Sequence, residues 1–558
     1  MRALTRRPDR VGWLLLATAL IVGGVLLFWL ERGLTYDGDS FNWLSRVGLS
    51  PDKALVEPYG GHLIFVPLLL IKVVLEIAGV GYSAFAVPQL LLLLALAALV
   101  YEYGRRRVGP LLALTAPIAL LFLGSGWTIQ LQPMIGIQFL CALVPGLAAL
   151  LVLERDDRLG DIAACVLLTI ATWSFEMGLA FVAGAAVAIA LRDDRWRRAW
   201  IVVVPVITYM IWKAWAQKYG GLEAEVTNLI WFPAYAVDSL AVVATSLFGL
   251  FYWAASGMLT YQHVAGFDSS RLGQGLVFLC FEAIAVVLLV RRMRQRGRIP
   301  ATFWVALATL VVLWLEQSLA LGPTRTPSEI RYVIPDTAVV MLVVFEMVRG
   351  ARVTRMALLV AALITAAAVI GNLPRLKEGR DLLAGYSPNT KAAMTAMELA
   401  GKHVSPAFSA AANAPAAFAL DSAPFVWAGL VQTIAERYGS MGYSVPDLLK
   451  APESPRRSAD IVAAYALGIH TEPAGAAGAT CRPAAKAGDA VTLPPGGAIL
   501  VARRPSELLA RRFADKFVIG VGEVDPGKAV RLVIPPDSAD LPWVVRAPDA
   551  GGLTACPL

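Results

Sequence analysis

Two aspartates, Asp37 and Asp39, stand two residues apart, shortly after the first long apolar run of the chain, which extends from Val11 to Leu30. One carboxylate there could deprotonate an acceptor hydroxyl, and two could hold a divalent ion, such as magnesium, manganese or calcium, on a phosphate leaving group. An Asp-Gly-Asp-Ser sequence is also typical of a turn that begins a helix, with Asp39 or Ser40 as the N-cap. The spacing alone leaves both interpretations open.

The segment that follows contains a second pair of polar residues, Glu57 and His62. His62 could serve as an acid–base group, or it could have a structural role beside Tyr59 and two glycines. The other three histidines lie far apart in the sequence and form no metal-ligand pattern; they are His263, His403 and His470.

Further candidate groups lie in the middle of the chain. Glu176 falls between two apolar runs, where a carboxylate is either a solvated hairpin tip or a hydrogen-bonding partner for a substrate. Arg325 and Arg331, the latter followed by Tyr332, could bind a phosphate because guanidinium presents a bidentate fork to phosphate oxygens. Snorkelling of these arginines towards lipid headgroups is the alternative.

The composition identifies the setting of these residues. A mean hydropathy of +0.63, with 57% hydrophobic and 16% charged residues, excludes an ordinary soluble protein. Apolar runs of about 17–25 residues predict transmembrane helices. The net charge of +8 comes from arginines and lysines clustered at the ends of these runs, which favours anchoring at a membrane surface over nucleic-acid binding.

The same basic clusters predict the orientation in the cytoplasmic membrane. Arginines within the first ten residues and at 105–107 would lie in the cytoplasm, and alternation from there gives about eleven transmembrane helices with the C-terminus outside. Two further apolar runs, about 62–79 and 236–258, are interpreted as interfacial or re-entrant helices. Residues 125–133 are predicted as an outer loop whose tryptophan and glutamines could line a site, although an interfacial tryptophan belt is the stronger interpretation. The candidate acids and arginines would share the outer face.

The composition changes near residue 376, which predicts a membrane domain over 1–375 and an extracytoplasmic α+β domain over 376–558. Strands are expected over 498–502, 516–524 and 529–534, and helices near 388–402 and 427–438. Cys481 and Cys556 both fall in this polar region, and they are the natural disulfide pair if the region lies outside the cytoplasm.

The layout resembles the C-superfamily (GT-C) of integral-membrane glycosyltransferases, which includes protein O-mannosyltransferases and bacterial lipid-linked-sugar transferases. One helix is followed by an acidic outer loop, an amphipathic surface helix, and a helix that ends in Arg-Arg-Arg-Val-Gly at 105–109. The resemblance covers about residues 10–370, and three short motifs add to it: Tyr36-Asp37-Gly38-Asp39, Ser174-Phe175-Glu176 and Arg331-Tyr332.

The resemblance implies a mainly α-helical enzyme that moves a sugar from a polyprenyl-phosphate donor to a cell-envelope glycan, lipid or protein on the outer face. Asp37 or Asp39 would be the general base or a metal ligand; the spacing differs from the adjacent Asp-Glu pair of the mannosyltransferases, so the choice stays open. The substrate-binding residues would be Glu57, His62, Glu176, Arg325, Arg331 and Tyr332.

A transporter or flippase of lipid-linked saccharides, or another polytopic protein of cell-envelope assembly, is the alternative function. Glu282 and Glu316 lie inside apolar runs, as a transport pathway through the membrane would require. The crowding of the other acids towards one face, with no evident repeated half, favours the transferase.

Overall fold

A computed structural model gives the fold of the chain. It describes residues 6–50, 52–220, 225–250, 299–322, 325–350, 353–413, 426–474, 482–483, 490–517 and 519–558, with isolated positions between 260 and 294. The chain divides into two compact units. The membrane unit comprises Met1–Arg32, Asp52–Ile71 and Phe85–Leu382, and the C-terminal unit comprises Gly33–Pro51, Lys72–Ala84 and Leu383–Leu558.

Helices make up most of the described residues. Numbered along the chain, they are α1 (Arg6–Leu30), α2 (Gly38–Gly48), α3 (Phe65–Ala78), α4 (Tyr82–Val108), α5 (Thr115–Leu121), α6 (Trp127–Leu131), α7 (Pro133–Leu153), α8 (Arg158–Ser174), α9 (Gly178–Ala190), α10 (Arg195–Arg198), α11 (Trp200–Ala216), α12 (Phe232–Ser246), α13 (Ala301–Leu319), α14 (Val333–Val348), α15 (Arg355–Ala400), α16 (Ala410–Asn413), α17 (Ala428–Tyr438), α18 (Val445–Lys450) and α19 (Glu453–Leu467).

Seven helices among the described residues are long and apolar enough to cross a membrane, or eight if a pair bent by 46° counts as one span. The seven are Asp9–Leu30, Tyr82–Val108, Pro133–Leu153, Trp200–Tyr219, Val226–Ser246, Ala301–Leu319 and Arg355–His403, and the bent pair is Leu112–Leu121 with Gly124–Leu131. The sequence predicts further crossings by α8 and α9, which have 17 and 13 residues. A predicted crossing near 274–290 lies largely outside the described residues, so about eleven crossings remains a prediction.

Two sequence predictions differ from the structure. The run at 236–258 was expected to be interfacial or re-entrant. Its first part instead belongs to a helix over Val226–Ser246 that is long and apolar enough to cross a membrane. The outer loop expected over 125–133 is wrong, because α6 occupies it and buries Trp127, Gln130 and Gln132. Gln130 Nε2 donates to the carbonyls of Leu120 and Leu121 at 3.2 and 3.1 Å, which satisfies two acceptors at the end of α5.

A glycine, Gly124, lies immediately before this segment. Gly124 separates the two halves of the bent pair, and glycine between apolar runs is a common loop signal. In the structure a Cβ at Gly124 would lie 2.0 Å from the carbonyl oxygen of Asn372 on α15. Glycine is therefore required here for close packing of two backbones.

The basic cluster at 105–107 is more than a surface anchor. Arg107, which is 7% exposed, donates to the carboxylates of Glu346 and Glu154, and Tyr103 donates its hydroxyl to Glu346 at 3.0 Å. Thr302 donates to the same glutamate at 2.8 Å. These contacts join the ends of α4, α7, α13 and α14, and they pair charges that would be costly to bury alone.

The C-terminal unit contains two antiparallel sheets with the orders β1-β7-β4-β9-β2 and β3-β8-β5-β6. The strands are β1 (His470–Pro473), β2 (Arg482–Pro483), β3 (Val491–Thr492), β4 (Gly496–Ala502), β5 (Ser506–Arg511), β6 (Ile519–Val524), β7 (Ala529–Ile534), β8 (Val544–Arg546) and β9 (Leu553–Cys556). The predicted strands are confirmed as β4, β6 and β7, and the predicted helices appear in the last part of α15 and in α17.

Two short segments from the N-terminal part of the chain also belong to the C-terminal unit. Hydrogen bonds tie these segments to the C-terminal unit. Tyr36 in the first segment donates its hydroxyl to the carbonyl of Val80 in the second. From α17, Arg437 donates to the carbonyl of Gly48 at 3.0 Å, and the Tyr438 hydroxyl donates to Glu76 at 2.9 Å. The units therefore do not follow a single cut in the sequence, and the composition change near 376 falls inside α15.

The disulfide prediction concerns the same unit. Cys556, at the end of β9, is buried and disulfide-bonded. Cys481 lies outside the described residues, so its pairing with Cys556 remains a prediction. Cys141 and Cys165 are free and buried in the membrane unit.

Candidate functional site

A cavity of about 190 Å³ within the membrane unit gathers several charged side chains. Its walls come from the segment before α3, the turn between α8 and α9, α11, the end of α13 and the segment after it. The lining residues are Gly60, Gly61, His62, Glu176, Leu179, Lys213, Glu316, Leu319, Ala320 and Arg325. Three residues predicted from the sequence, His62, Glu176 and Arg325, therefore line one cavity.

Glu176 is the centre of the polar contacts in this cavity. Its Oε1 accepts hydrogen bonds from the Tyr209 hydroxyl at 2.8 Å and from Lys213 Nζ at 2.9 Å, and its Oε2 lies 2.9 Å from His62 Nδ1. Burial by itself would raise the pKa of Glu176, but the hydrogen bond with His62, together with the charge and hydrogen bond of Lys213, lowers it to about 2. Glu176 is therefore ionised at neutral pH.

The ionised state of Glu176 fixes the role of each ring nitrogen of His62. A carboxylate can only accept hydrogen bonds, so Nδ1 must carry the proton and donate it to Glu176. Among the described residues, no side chain or backbone group forms a hydrogen bond with Nε2. His62 thus presents Nε2 as the nitrogen that can exchange a proton with a ligand.

Two local structures hold this pair in place. The backbone N–H groups of Tyr59 and His62 each donate to the other residue's carbonyl at 3.0 Å, around Gly60 and Gly61, whose φ angles are 56° and 82°. Positive φ at both central positions is the geometry of a tight hairpin turn, which glycine adopts without strain. The Phe175 ring then contacts the His62 ring, with 5.0 Å between centroids, next to Glu176.

Lys213 and Tyr209 were not predicted from the sequence. They lie four residues apart on α11, so both side chains lie on one face of the helix. Lys213 Nζ donates to Glu176 and to the carbonyl of Gly61 at 3.3 Å, which leaves one of its three N–H donors without a partner among the described residues. A lysine between tryptophans near the end of an apolar helix was the signal that could have indicated it.

Glu316 brings a second carboxyl group to the cavity. It projects from α13, and its Oε2 atom is buried and has no hydrogen-bond partner among the described residues. Glu176, by contrast, has three polar partners. The two acids of the cavity therefore differ in environment.

The remaining predicted binding residues of the membrane unit do not line the cavity. Glu57 accepts a hydrogen bond from the Tyr219 hydroxyl at 3.3 Å. The guanidinium of Arg331 lies 5.5 Å from the centre of the Tyr332 ring, and Tyr332 is buried against Phe139. These contacts give Tyr332 a packing role.

Asp37 and Asp39 belong to the C-terminal unit. Asp37 is the N-cap residue of α2, in place of Asp39 or Ser40, and its Oδ2 accepts a hydrogen bond from the Tyr386 hydroxyl at 3.1 Å. Asp39 lies in the first turn of the helix, where a carboxylate interacts favourably with the helix dipole. No group of three His, Cys, Asp or Glu side chains able to hold a metal ion occurs among the residues described.

The apolar helices and the two sheets define the class of this chain: it is a mainly helical, polytopic integral membrane protein with a β-rich C-terminal region. Its fold shows a distant similarity to the crystal structure of ArnT from Cupriavidus metallidurans bound to undecaprenyl phosphate. The match covers 71% of this chain and 81% of that chain, with 15% sequence identity and a TM-score of 0.41. No family model and no curated protein matches the sequence.

Proposed function

We propose that this chain is a membrane glycosyltransferase, which transfers a sugar from a polyprenyl-phosphate donor to a cell-envelope acceptor on the outer face of the cytoplasmic membrane. The observation that carries the proposal is the cavity among the membrane helices in which Lys213 and Arg325 accompany the His62–Glu176 pair.

The charge of the cavity favours an anion. Lys213 and Arg325 contribute two positive charges and ionised Glu176 one negative charge, which leaves a net charge of +1 when His62 and Glu316 are neutral. Charge-assisted hydrogen bonds from ammonium and guanidinium groups are the usual protein contacts of phosphate oxygens. The phosphodiester that joins the donor sugar to its lipid carrier is the anion that fits the proposal.

The His62–Glu176 pair supplies acid–base chemistry. In the proposed transfer, the acceptor oxygen forms a bond to the anomeric carbon, and the carrier phosphate leaves with the electrons of the broken C–O bond. The proton of the acceptor hydroxyl passes to a base, and His62 Nε2 is suited to accept it because Glu176 holds the opposite nitrogen as a donor. Asp37 or Asp39, through the sequence resemblance, is the other candidate base or a metal ligand.

The proposed orientation rests on the positive-inside rule. The arginines of the first ten residues and of 105–107 would lie in the cytoplasm, with about eleven crossings and an extracytoplasmic C-terminal region. Arg331 and Glu57 then remain candidate contacts of the substrate on the outer side.

Binding and turnover of purified full-length protein in lipid nanodiscs test the proposal. Lys213→Met should weaken binding of undecaprenyl phosphate about tenfold or more, because it removes a charge-assisted contact worth roughly 1.5–3 kcal/mol. His62→Gln should retain binding within about threefold and lose transfer. Glu378→Gln, which alters an exposed acid paired with Arg375, is the matched control and should change neither.

The acceptor is tested in cells that lack the chain, by mass spectrometry of their envelope glycans, lipids and proteins. Complementation with His62→Gln, Asp37→Asn or Asp39→Asn should leave the missing sugar absent if the altered residue is the base or a metal ligand. Full transfer by all three variants would exclude His62 as the base, and Asp37 and Asp39 as the base or a metal ligand. Absence of carrier-lipid binding together with unchanged envelope glycans would refute the proposal as a whole.

Transport of a lipid-linked saccharide is the second candidate function, and the position of Glu316 favours it. An acid within an apolar helix, with one oxygen lacking a partner among the described residues, is a feature of polar pathways through membranes. Movement of a labelled lipid-linked sugar across proteoliposomes, without chemical change, would favour transport over transfer.

A further inference from the structure

We propose that Glu316 recognises a hydroxyl group of the donor sugar and thereby distinguishes the sugar-loaded carrier from the bare carrier. This inference rests on the proposed function, because it assigns the phosphate of the donor to Lys213 and Arg325 in the same cavity. It adds a sugar-binding residue that neither the sequence motifs nor the acid–base pair requires.

Glu316 has unused hydrogen-bonding capacity. Its buried Oε2 has no partner among the described residues, and Lys213 forms its ion pair with Glu176 instead. A buried carboxylate without a partner is strongly disfavoured, so the neutral form of this group is favoured. A neutral carboxyl both donates and accepts a hydrogen bond, and a sugar hydroxyl has the same two capacities.

The next residue on α13, Gln317, differs from Glu316 in its contacts. The Gln317 side chain donates to Asp336 at 3.0 Å and accepts from the Tyr235 hydroxyl at 3.4 Å, so its polar atoms have protein partners. Glu316 instead lines the cavity together with Leu319 and Ala320, at the spacing of three and four residues that defines one helix face.

The size of the cavity limits the ligand that it can hold. Its volume of about 190 Å³ is below the roughly 300–1,000 Å³ of pockets that enclose drug-sized ligands. It therefore suits a single sugar ring and its phosphate more than an oligosaccharide. With cations and a neutral acid in one small cavity, the phosphate and a ring hydroxyl of the same ligand can be bound together.

Binding measurements on the full chain in nanodiscs test the assignment. The probes are undecaprenyl phosphate without a sugar and the same lipid carrying glucose, mannose or arabinose, and the sugar lipid that wild type binds most tightly is used. Glu316→Leu should weaken binding of that sugar lipid about tenfold or more. It should change binding of the bare carrier by less than about twofold. Glu316→Gln, which keeps a donor and an acceptor, should stay within about threefold of wild type.

The outcomes separate this inference from the proposed function. Equal losses for sugar-loaded and bare carrier in Glu316→Leu, or no loss for either, would overturn the role of Glu316 and leave the transferase proposal standing. A loss in Glu316→Gln as large as that in Glu316→Leu would overturn the neutral hydrogen-bonding role. If wild type binds neither kind of lipid, the proposed function fails and this inference fails with it. Glu378→Gln is again the control.

Discussion

The contacts of Glu176 lead to a quantitative prediction about stability. A pKa lowered from its ordinary value of 4.5 to about 2 corresponds, at about 1.36 kcal/mol for each pH unit, to roughly 3 kcal/mol of favourable interaction in the folded state. The side chains of Glu176, His62 and Lys213 are 25%, 20% and 22% exposed, so solvent screens this interaction only in part. We expect Glu176→Gln to lower the free energy of unfolding by about 2–3 kcal/mol at pH 7.

A double-mutant cycle isolates the contribution of Lys213 to the stabilisation by Glu176. His62 and Lys213 both lower the pKa of Glu176, so the coupling energy between Glu176→Gln and Lys213→Met should be about 1–2 kcal/mol. Unfolding by sodium dodecyl sulfate in mixed micelles, followed for wild type, both single variants and the double variant, measures it. The exposed Glu378–Arg375 pair is the control, with an expected coupling of about 0–1 kcal/mol.

The same interaction has a predictable pH dependence. Because the folded-state pKa of Glu176 is lowered, the stabilisation is fully present above about pH 4.5 and is lost as the pH falls towards 2. The difference between wild type and Glu176→Gln should therefore shrink to roughly 1 kcal/mol at pH 3. A coupling energy below about 0.5 kcal/mol, or a difference that does not change between pH 7 and pH 3, would refute this account of the site.

Three further predictions concern the fold. Gly124→Ala should reduce the yield of folded protein in size-exclusion chromatography, because the added Cβ would lie 2.0 Å from the Asn372 carbonyl oxygen. Gly385→Ala is the control and should have no such effect, because a Cβ added there meets no neighbouring atom within 4 Å. Asp460→Ala should destabilise the C-terminal unit by at least about 3 kcal/mol, since three backbone N–H groups at 512–514 lose their acceptor. Hydrogen exchange at 512–514 should increase, and unchanged exchange would contradict this. Mass spectrometry of unreduced peptides should find Cys556 linked to Cys481, and any other partner would disprove the predicted pair.

Several elements could be predicted because their signals are local. The length of an apolar run limits what a helix can cross, so α1, α4, α7 and α13 could be located from the sequence. The same holds for β4 and β7, whose β-branched and apolar residues are bounded by Gly, Pro and Asp. The loop expected over 125–133 is wrong because Gln130 is buried in α6 and hydrogen-bonded to the end of α5, a contact that the local sequence does not specify.

The candidate site was predicted only in part, for a related reason. His62, Glu176 and Arg325 were proposed from residue type and position, and they line one cavity. Lys213 and Tyr209 were missed because a lysine near a helix end has a sufficient explanation in snorkelling towards the membrane surface. Their rotation towards Glu176 depends on how α11 packs against α8 and α9, which separated segments of sequence do not specify.

By itself, the sequence determined that this chain is a polytopic, mainly helical membrane protein with a β-containing polar region, because hydrophobic length, charge clusters and turn residues act over neighbouring positions. Only the tertiary structure decided which polar groups meet. It paired Glu176 with His62 and Lys213, buried Arg107 against Glu346, and left a buried oxygen of Glu316, which lines the cavity, without a partner among the described residues. These pairings join residues from about 35 to about 240 positions apart, and hydrogen bonds over such separations form only after the helices have packed.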